Sequence, residues 1–201
     1  MKIVFLPGVG FHGDHSNVIR FFDKIKKEID CDIEYFQWKH GYMGGSHDDH
    51  HHTPNLPYKN ARSFFSEIIL DFQHVLRYSD SMELPEADIY MGHSAGSIIA
   101  IQQDKPCILF GSPALLIEDL QFANDDLLQR CLCKDRSVLN IVQDKDIIGY
   151  PINHDHVEDF IFKGCWFNPL TYSPIAAHGS YWTDKDVLKK ITLTLKQWQS
   201  I

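Results

Sequence analysis

This 201-residue sequence predicts an α/β fold in three layers, α/β/α, around a mostly parallel sheet of about five to six strands. Two observations point to it. Apolar runs of strand length alternate along the chain with segments whose apolar residues recur every three or four positions. Those runs are hydrophobic on consecutive residues rather than alternate ones, as in strands buried on both faces.

Composition and charge bound the rest. At 44% hydrophobic and 23% charged, the chain has an ordinary globular make-up, and its length suits one domain spanning 1–201. The net charge of −8 argues against nucleic acid and against an anionic membrane surface as partners. No apolar stretch approaches the ~18 residues of a membrane span, so stable membrane insertion is not expected. The apolar run Ile3–Leu6 is too short for a signal peptide and reads as a first strand. Five cysteines, at 31, 107, 131, 133 and 165, are an odd number, and Cys131-x-Cys133 has no second pair to complete a zinc site. Reduced thiols and a cytoplasmic protein are the expectation.

In order along the chain, Lys2–Pro7 is the first strand, closed by Gly8-Val9-Gly10. Val18, Phe22, Ile25 and Ile29 mark one helix face, with Ser16 expected as its N-cap. Asp32–Trp38 is the second strand. Residues 37–60 have no periodicity and carry glycine, proline and the run His47-Asp48-Asp49-His50-His51-His52. Consecutive histidines on a loop cannot all face one ion, so the run is read as a loop tip rather than a metal site. With Trp38, Tyr42 and Met43 in it, the segment is expected to form part of the acyl pocket or its flap. A helix follows over 61–78. Ala87–Met91 and Pro106–Phe110 are the next strands, separated by the apolar helix of Ile98–Ile101. A helix near 124–133 leads to a strand over Ser137–Val142. Residues 143–182 are mostly loop, with a short strand near Phe160–Phe167. The last helix opens on Thr183-x-x-Asp186, a capping-box pattern, and shows Leu188, Ile191, Leu195 and Trp198 on one face.

Gly92-His93-Ser94-Ala95-Gly96 lies between a buried strand and an apolar helix, which is the setting of a nucleophile elbow. A serine on so sharp a turn is lifted clear of the sheet, and the two glycines leave room for backbone that passes close by. The helix behind Ser94 aims its positive end at the site, which favours a developing oxyanion. In a parallel sheet, ligands bind beyond the carboxyl ends of the strands. The loops after Pro7, Met91, Phe110 and Val142 therefore share one rim with Ser94. A serine nucleophile needs a base and an acid that orients the base. The loop after Val142 offers Asp144 and Asp146, and His178 stands just before the last helix.

Four local matches, in order, carry a resemblance: Gly92–Gly96, then Phe110-Gly111-Ser112-Pro113, then Asp146-Ile147-Ile148, then His178 with Tyr181. On these residues the chain resembles the α/β-hydrolases in a minimal form, and among them most the class-3 (fungal-type) lipases. It departs from larger members in showing no recognisable lid helix. The resemblance implies a serine esterase: Ser94 as nucleophile, His178 as general base and Asp146 as acid, because the family's aspartate directly precedes an Ile/Val pair. Asp144 competes for the last role. The oxyanion hole would be the backbone N–H groups of Ala95 and Val9, with Gly10 the alternative to Val9. His93, His154 and His156 are weaker candidates for the base, and His12 could touch substrate. Such an enzyme acts on a small-molecule ester or thioester and needs no cofactor and no metal. Other readings are a non-catalytic hydrolase-like binding protein, a metal protein using His47–His52, and an acyltransferase or peptidase using the same triad.

Overall fold

The computed structural model describes residues 1–8, 16–36, 75, 79, 82–119, 131–132, 134–164 and 177–200, with the backbone alone at 117–119. The 37–60 loop, the histidine run within it, nearly all of the 61–78 helix, and His12, Val9 and Gly10 lie outside the described residues.

Among the described residues, six strands form one sheet in the order β2-β1-β3-β4-β5-β6. They are β1 (Lys2–Leu6), β2 (Asp32–Tyr35), β3 (Ile89–His93), β4 (Cys107–Phe110), β5 (Val138–Gln143) and β6 (Val157–Phe162). Every pairing is parallel, so the sheet meets the sequence expectation at its upper strand count. β3, β4 and β5 are buried along their whole length, which is why they read as largely apolar runs, with Asn140 and Gln143 of β5 and His93 of β3 buried among them. β6 begins at Val157, three residues earlier than the apolar residues alone suggest, because its first half is the half-exposed Val-Glu-Asp of an edge strand.

Two apolar layers cover the sheet. On one face α1 (Ser16–Glu28) and α4 (Lys185–Gln199) bury Val18, Phe21, Phe22, Ile25, Val187, Ile191 and Leu195 against Ile3, Phe5, Met91, Phe110, Leu139 and Ile141. On the other lies α2 (Ala95–Gln102), buried at every position from Ala95 to Ile101, with α3 (Ala114–Asp119) beginning beside it at Ala114. A helix apolar all round has no solvent face, and full burial of each of its isoleucines contributes about 2 kcal/mol. Its last carbonyls are covered by cations: Lys134 Nζ donates to the oxygen of Gln102 at 2.5 Å, and the Arg136 guanidinium donates to that of Ile101.

Two helix starts also differ from the sequence reading. Ser16 is the first residue of α1 rather than its cap. The last helix is capped by Asp184, whose Oδ1 accepts from the amides of Asp186 and Val187 at 2.8 and 3.0 Å. Thr183 is not that cap, because it closes a 3-10 turn over Ser180–Thr183 and its hydroxyl donates to the oxygen of Ser180. Trp182 nails this turn to the core. Its ring lies 4.8 Å from Phe110, 5.6 Å from Phe5 and 5.7 Å from Phe21 between centroids. The segment carrying His178 is thereby tied to the centre of the sheet.

Candidate active site

The strand order reverses between β1 and β3: the chain steps outward from β1 to β2, then returns to build β3 to β6 on the other side. A crevice opens at the carboxyl ends of strands where such a reversal occurs. Ser94 sits there, directly after β3, and Gly8 beside it follows β1. A methyl group on Gly8 would lie 2.7 Å from Ser94 Cβ.

The elbow is strained in the way its shape requires. Ser94 has φ 52° and ψ −126°, a backbone conformation uncommon outside glycine. A Cβ on Gly92 would come within 2.5 Å of the Gly96 carbonyl oxygen, and one on Gly96 within 2.0 Å of the Leu6 oxygen. Both must be glycine for β1, β3 and α2 to approach this closely. The Ser94 amide donates to the Phe110 oxygen at 2.9 Å. Ser97 Oγ donates to the Ser94 oxygen at 2.6 Å and lies 2.9 Å from Ser112 Oγ, which ties the elbow to the loop after β4. Ala95, the first residue of α2, belongs to the first turn, whose amides have no carbonyl one turn back within the helix.

His178 and Asp146 meet on the same rim. His178 Nδ1 is 2.8 Å from Asp146 Oδ2, and since a carboxylate only accepts, Nδ1 carries the proton. Asp146 Oδ2 also accepts from the Tyr181 hydroxyl at 2.5 Å, and Oδ1 accepts from the Ile148 amide at 2.9 Å. Burial by itself would raise the Asp146 pKa. The hydrogen bond and charge of His178, the Tyr181 hydroxyl and the Ile148 amide outweigh it and hold the carboxyl below the usual range. Tyr181, with no exposed surface, is pushed well above the ordinary phenol value, first by burial and then by Asp146, so it stays a donor. His178 Nε2 is buried and, among the described residues, makes no hydrogen bond, to Ser94 Oγ or to any other group. With Nδ1 protonated, this nitrogen is the ring's available lone pair.

Asp144 is placed differently. It is exposed, and its Oδ1 accepts from the Gly164 amide at 3.1 Å, beyond β6. His154 and His156 pair with each other in the β5–β6 connection, their rings 5.5 Å apart. His93 is buried beneath the elbow, as the last residue of β3.

The sequence assigns no role to Gly111, which appears only within the Phe110–Pro113 match, or to Gly149. Gly111 has φ 55°, and a Cβ there would lie 2.7 Å from Asp146 Oδ2, 2.8 Å from Tyr181 Oη and 2.9 Å from His178 Cε1. A Cβ on Gly149 would meet Asp146 Oδ2 at 2.9 Å. The two glycines are the walls against which the acid and base sit. The Tyr181 hydroxyl bond to Asp146 is equally invisible in the sequence, which places Tyr181 only near His178.

His93 gives the fold a pH dependence. Burial first, and the neighbouring His178 second, push its pKa down from 6.5 to about 3. A depressed histidine is deprotonated when folded and takes up a proton when unfolded. Its contribution is thus complete above about pH 6.5 and is lost as pH falls from there toward about 3, by an amount on the order of several kcal/mol. The depressed Asp146 carboxyl acts in the same direction. Denaturant midpoints should therefore fall steeply between about pH 6.5 and 4, and His93→Gln should flatten that slope. Superimposable profiles for the two proteins would show that His93 does not couple folding to pH.

No family model matches this sequence, and no curated protein matches it. Among solved structures, the chain is similar to an α/β serine hydrolase homologue from Coxiella burnetii. The two share 15% identity over 96% of this chain and 82% of the other, with a TM-score of 0.47. At that level neither a family nor an activity follows, and the chemistry is argued from this chain's own residues. Among the described residues, no cluster of His, Cys, Asp or Glu has the makings of a metal site, and no helix is long and apolar enough to cross a membrane.

Proposed function

We propose that this protein is a serine hydrolase that cleaves a small carboxylic ester or thioester through an acyl-enzyme on Ser94. The observation that carries this is the hydrogen bond from His178 Nδ1 to the buried Asp146, which leaves Nε2 as a bare base on the rim that holds the strained Ser94 elbow. A buried carboxylate facing a histidine on the elbow's own rim has a direct use in proton transfer.

The steps follow from these groups. Ser94 Oγ attacks the carbonyl carbon while its proton passes to His178 Nε2. Asp146 stays ionised and balances the imidazolium. The carbonyl oxygen becomes an oxyanion, for which we assign the Ala95 amide and that of Val9. Collapse breaks the bond to the alcohol or thiol, which leaves with the proton from Nε2. Water, deprotonated by the same nitrogen, then releases the acid and restores Ser94. An alcohol in place of water would make the same site an acyltransferase. A reducing compartment such as the cytoplasm suits the free thiols of Cys31, Cys107 and Cys131.

Stopped-flow mixing with p-nitrophenyl esters of graded chain length tests the reading. We expect a burst of p-nitrophenol approaching one equivalent per chain wherever deacylation is slower than acylation. No ester turnover anywhere in the panel would leave a hydrolase-like fold without the activity. Dialysis against a strong chelator should leave turnover unchanged, since proton transfer to His178 generates the nucleophile without a Lewis acid. A loss restored by zinc would point instead to the His47–His52 run.

A further inference from the structure

We infer that His93 is a positioning residue that fixes the base relative to the nucleophile, by tying the main chain of His178 to the residue directly preceding Ser94. The inference rests on the Ser94–His178–Asp146 reading above.

His93 Nε2 lies 2.8 Å from the backbone oxygen of His178. A carbonyl only accepts, so Nε2 carries the proton and donates. Asp146 restrains the His178 side chain alone. The main chain at His178 belongs to none of the six strands; it is helical at Ala177–His178 and runs on into the 3-10 turn. With the Asp146 bond as pivot, the imidazole could swing and carry Nε2 away from Ser94 Oγ. The His93 bond blocks that swing by joining the base's backbone to the end of a central strand. His93 itself is held in register between Phe110 on β4 and the turn after β1, where a methyl group on Gly8 would lie 3.4 Å from its Nδ1.

The ring packing points the same way. The His93 and His178 rings lie 4.8 Å apart with 33° between their planes, while Trp182 at 5.3 Å and Tyr181 at 6.0 Å meet His93 nearly edge-on. His93 thus forms a shelf under the base as well as a tie to its backbone. Among the described residues, His178, and Asp146 beyond it, are ionisable groups that act on it. Burial keeps the ring neutral over the working pH range, so its donor does not change with pH. An apolar side chain here would spare the fold the desolvation of a buried imidazole. A histidine in this position is accounted for by the bond it makes.

The test compares His93→Leu with His93→Gln, whose amide nitrogen can reach the same carbonyl. For His93→Leu we expect kcat on an activated ester to fall by about a hundredfold, as for a small misplacement of reacting groups. KM should stay within about twofold, because substrate contacts are untouched. His93→Gln should recover most of the loss. Wild-type kcat in His93→Leu, or equal losses in two folded variants, would overturn the inference. Should His93→Leu fail to fold, the His93 ring nitrogens of the intact protein decide by NMR. A neutral Nε2–H tautomer that persists over about pH 5 to 8 supports the tie, and an Nδ1–H tautomer or a charged ring overturns it. Failure of the hydrolase reading looks different: the wild-type protein itself then neither turns over esters nor forms an adduct at Ser94.

Discussion

Ser94→Ala should abolish ester turnover, with kcat falling by about a millionfold, as when the nucleophile of a complete triad is removed. The chain should still fold. Ser94 is buried, and alanine keeps its Cβ against Gly8 while removing only the hydroxyl. The strain at φ 52° is common to both residues, so stability should change by less than about 1 kcal/mol. Ser94→Gly makes the sharper comparison, because glycine adopts this conformation freely. It should be as inactive as alanine yet more stable than the native protein by about 1 kcal/mol. Such a gain would show that the elbow is held strained for its chemistry. The two readouts are ester hydrolysis and a urea titration monitored by circular dichroism. Retained hydrolysis in both variants would remove Ser94 from the mechanism.

Asp146→Asn should lower kcat by about ten thousandfold, the size of loss seen when a triad acid becomes an amide. The asparagine amide would present either an N–H toward His178 Nδ1 or an oxygen with no negative charge. The first reverses the tautomer and takes the lone pair from Nε2, and the second leaves the imidazolium unbalanced. Asp144→Asn should cost no more than about twofold, because that carboxylate accepts from the Gly164 amide on the far side of the loop. Steady-state kinetics on both variants separates the alternatives. A larger loss for Asp144→Asn would move the acid and leave the rest of the site standing.

The fold was legible where burial is complete. Ile3–Leu6, Ile89–Met91 and Cys107–Phe110 are apolar on consecutive residues, and Val138–Val142 is so but for Asn140, because the sheet is covered on both faces; each lies in a strand. Legibility faded at the edge: β6 mixes exposed and buried positions, so its Val-Glu-Asp start has no apolar signature. The elbow could be read because its glycines are demanded by local contacts at short sequence separation. The resemblance favours Asp146 over Asp144 through the Ile147-Ile148 that follows it, and the 2.8 Å contact across 32 residues pairs Asp146 with His178 in space. The supports were not legible. Gly111 and Gly149 matter through what their missing side chains would strike, and His93 through a bond to a backbone atom 85 residues away. Backbone acceptors leave no mark on the identity of the residue that carries them.

The most direct measurement is covalent capture. Wild-type protein is treated with a fluorophosphonate, which phosphonylates only a serine activated by a base, and the adduct is mapped by peptide mass spectrometry. We expect one adduct per chain, on Ser94, absent in Ser94→Ala and much slower to form in Asp146→Asn. An adduct on another serine, or undiminished labelling of Ser94→Ala, would contradict it.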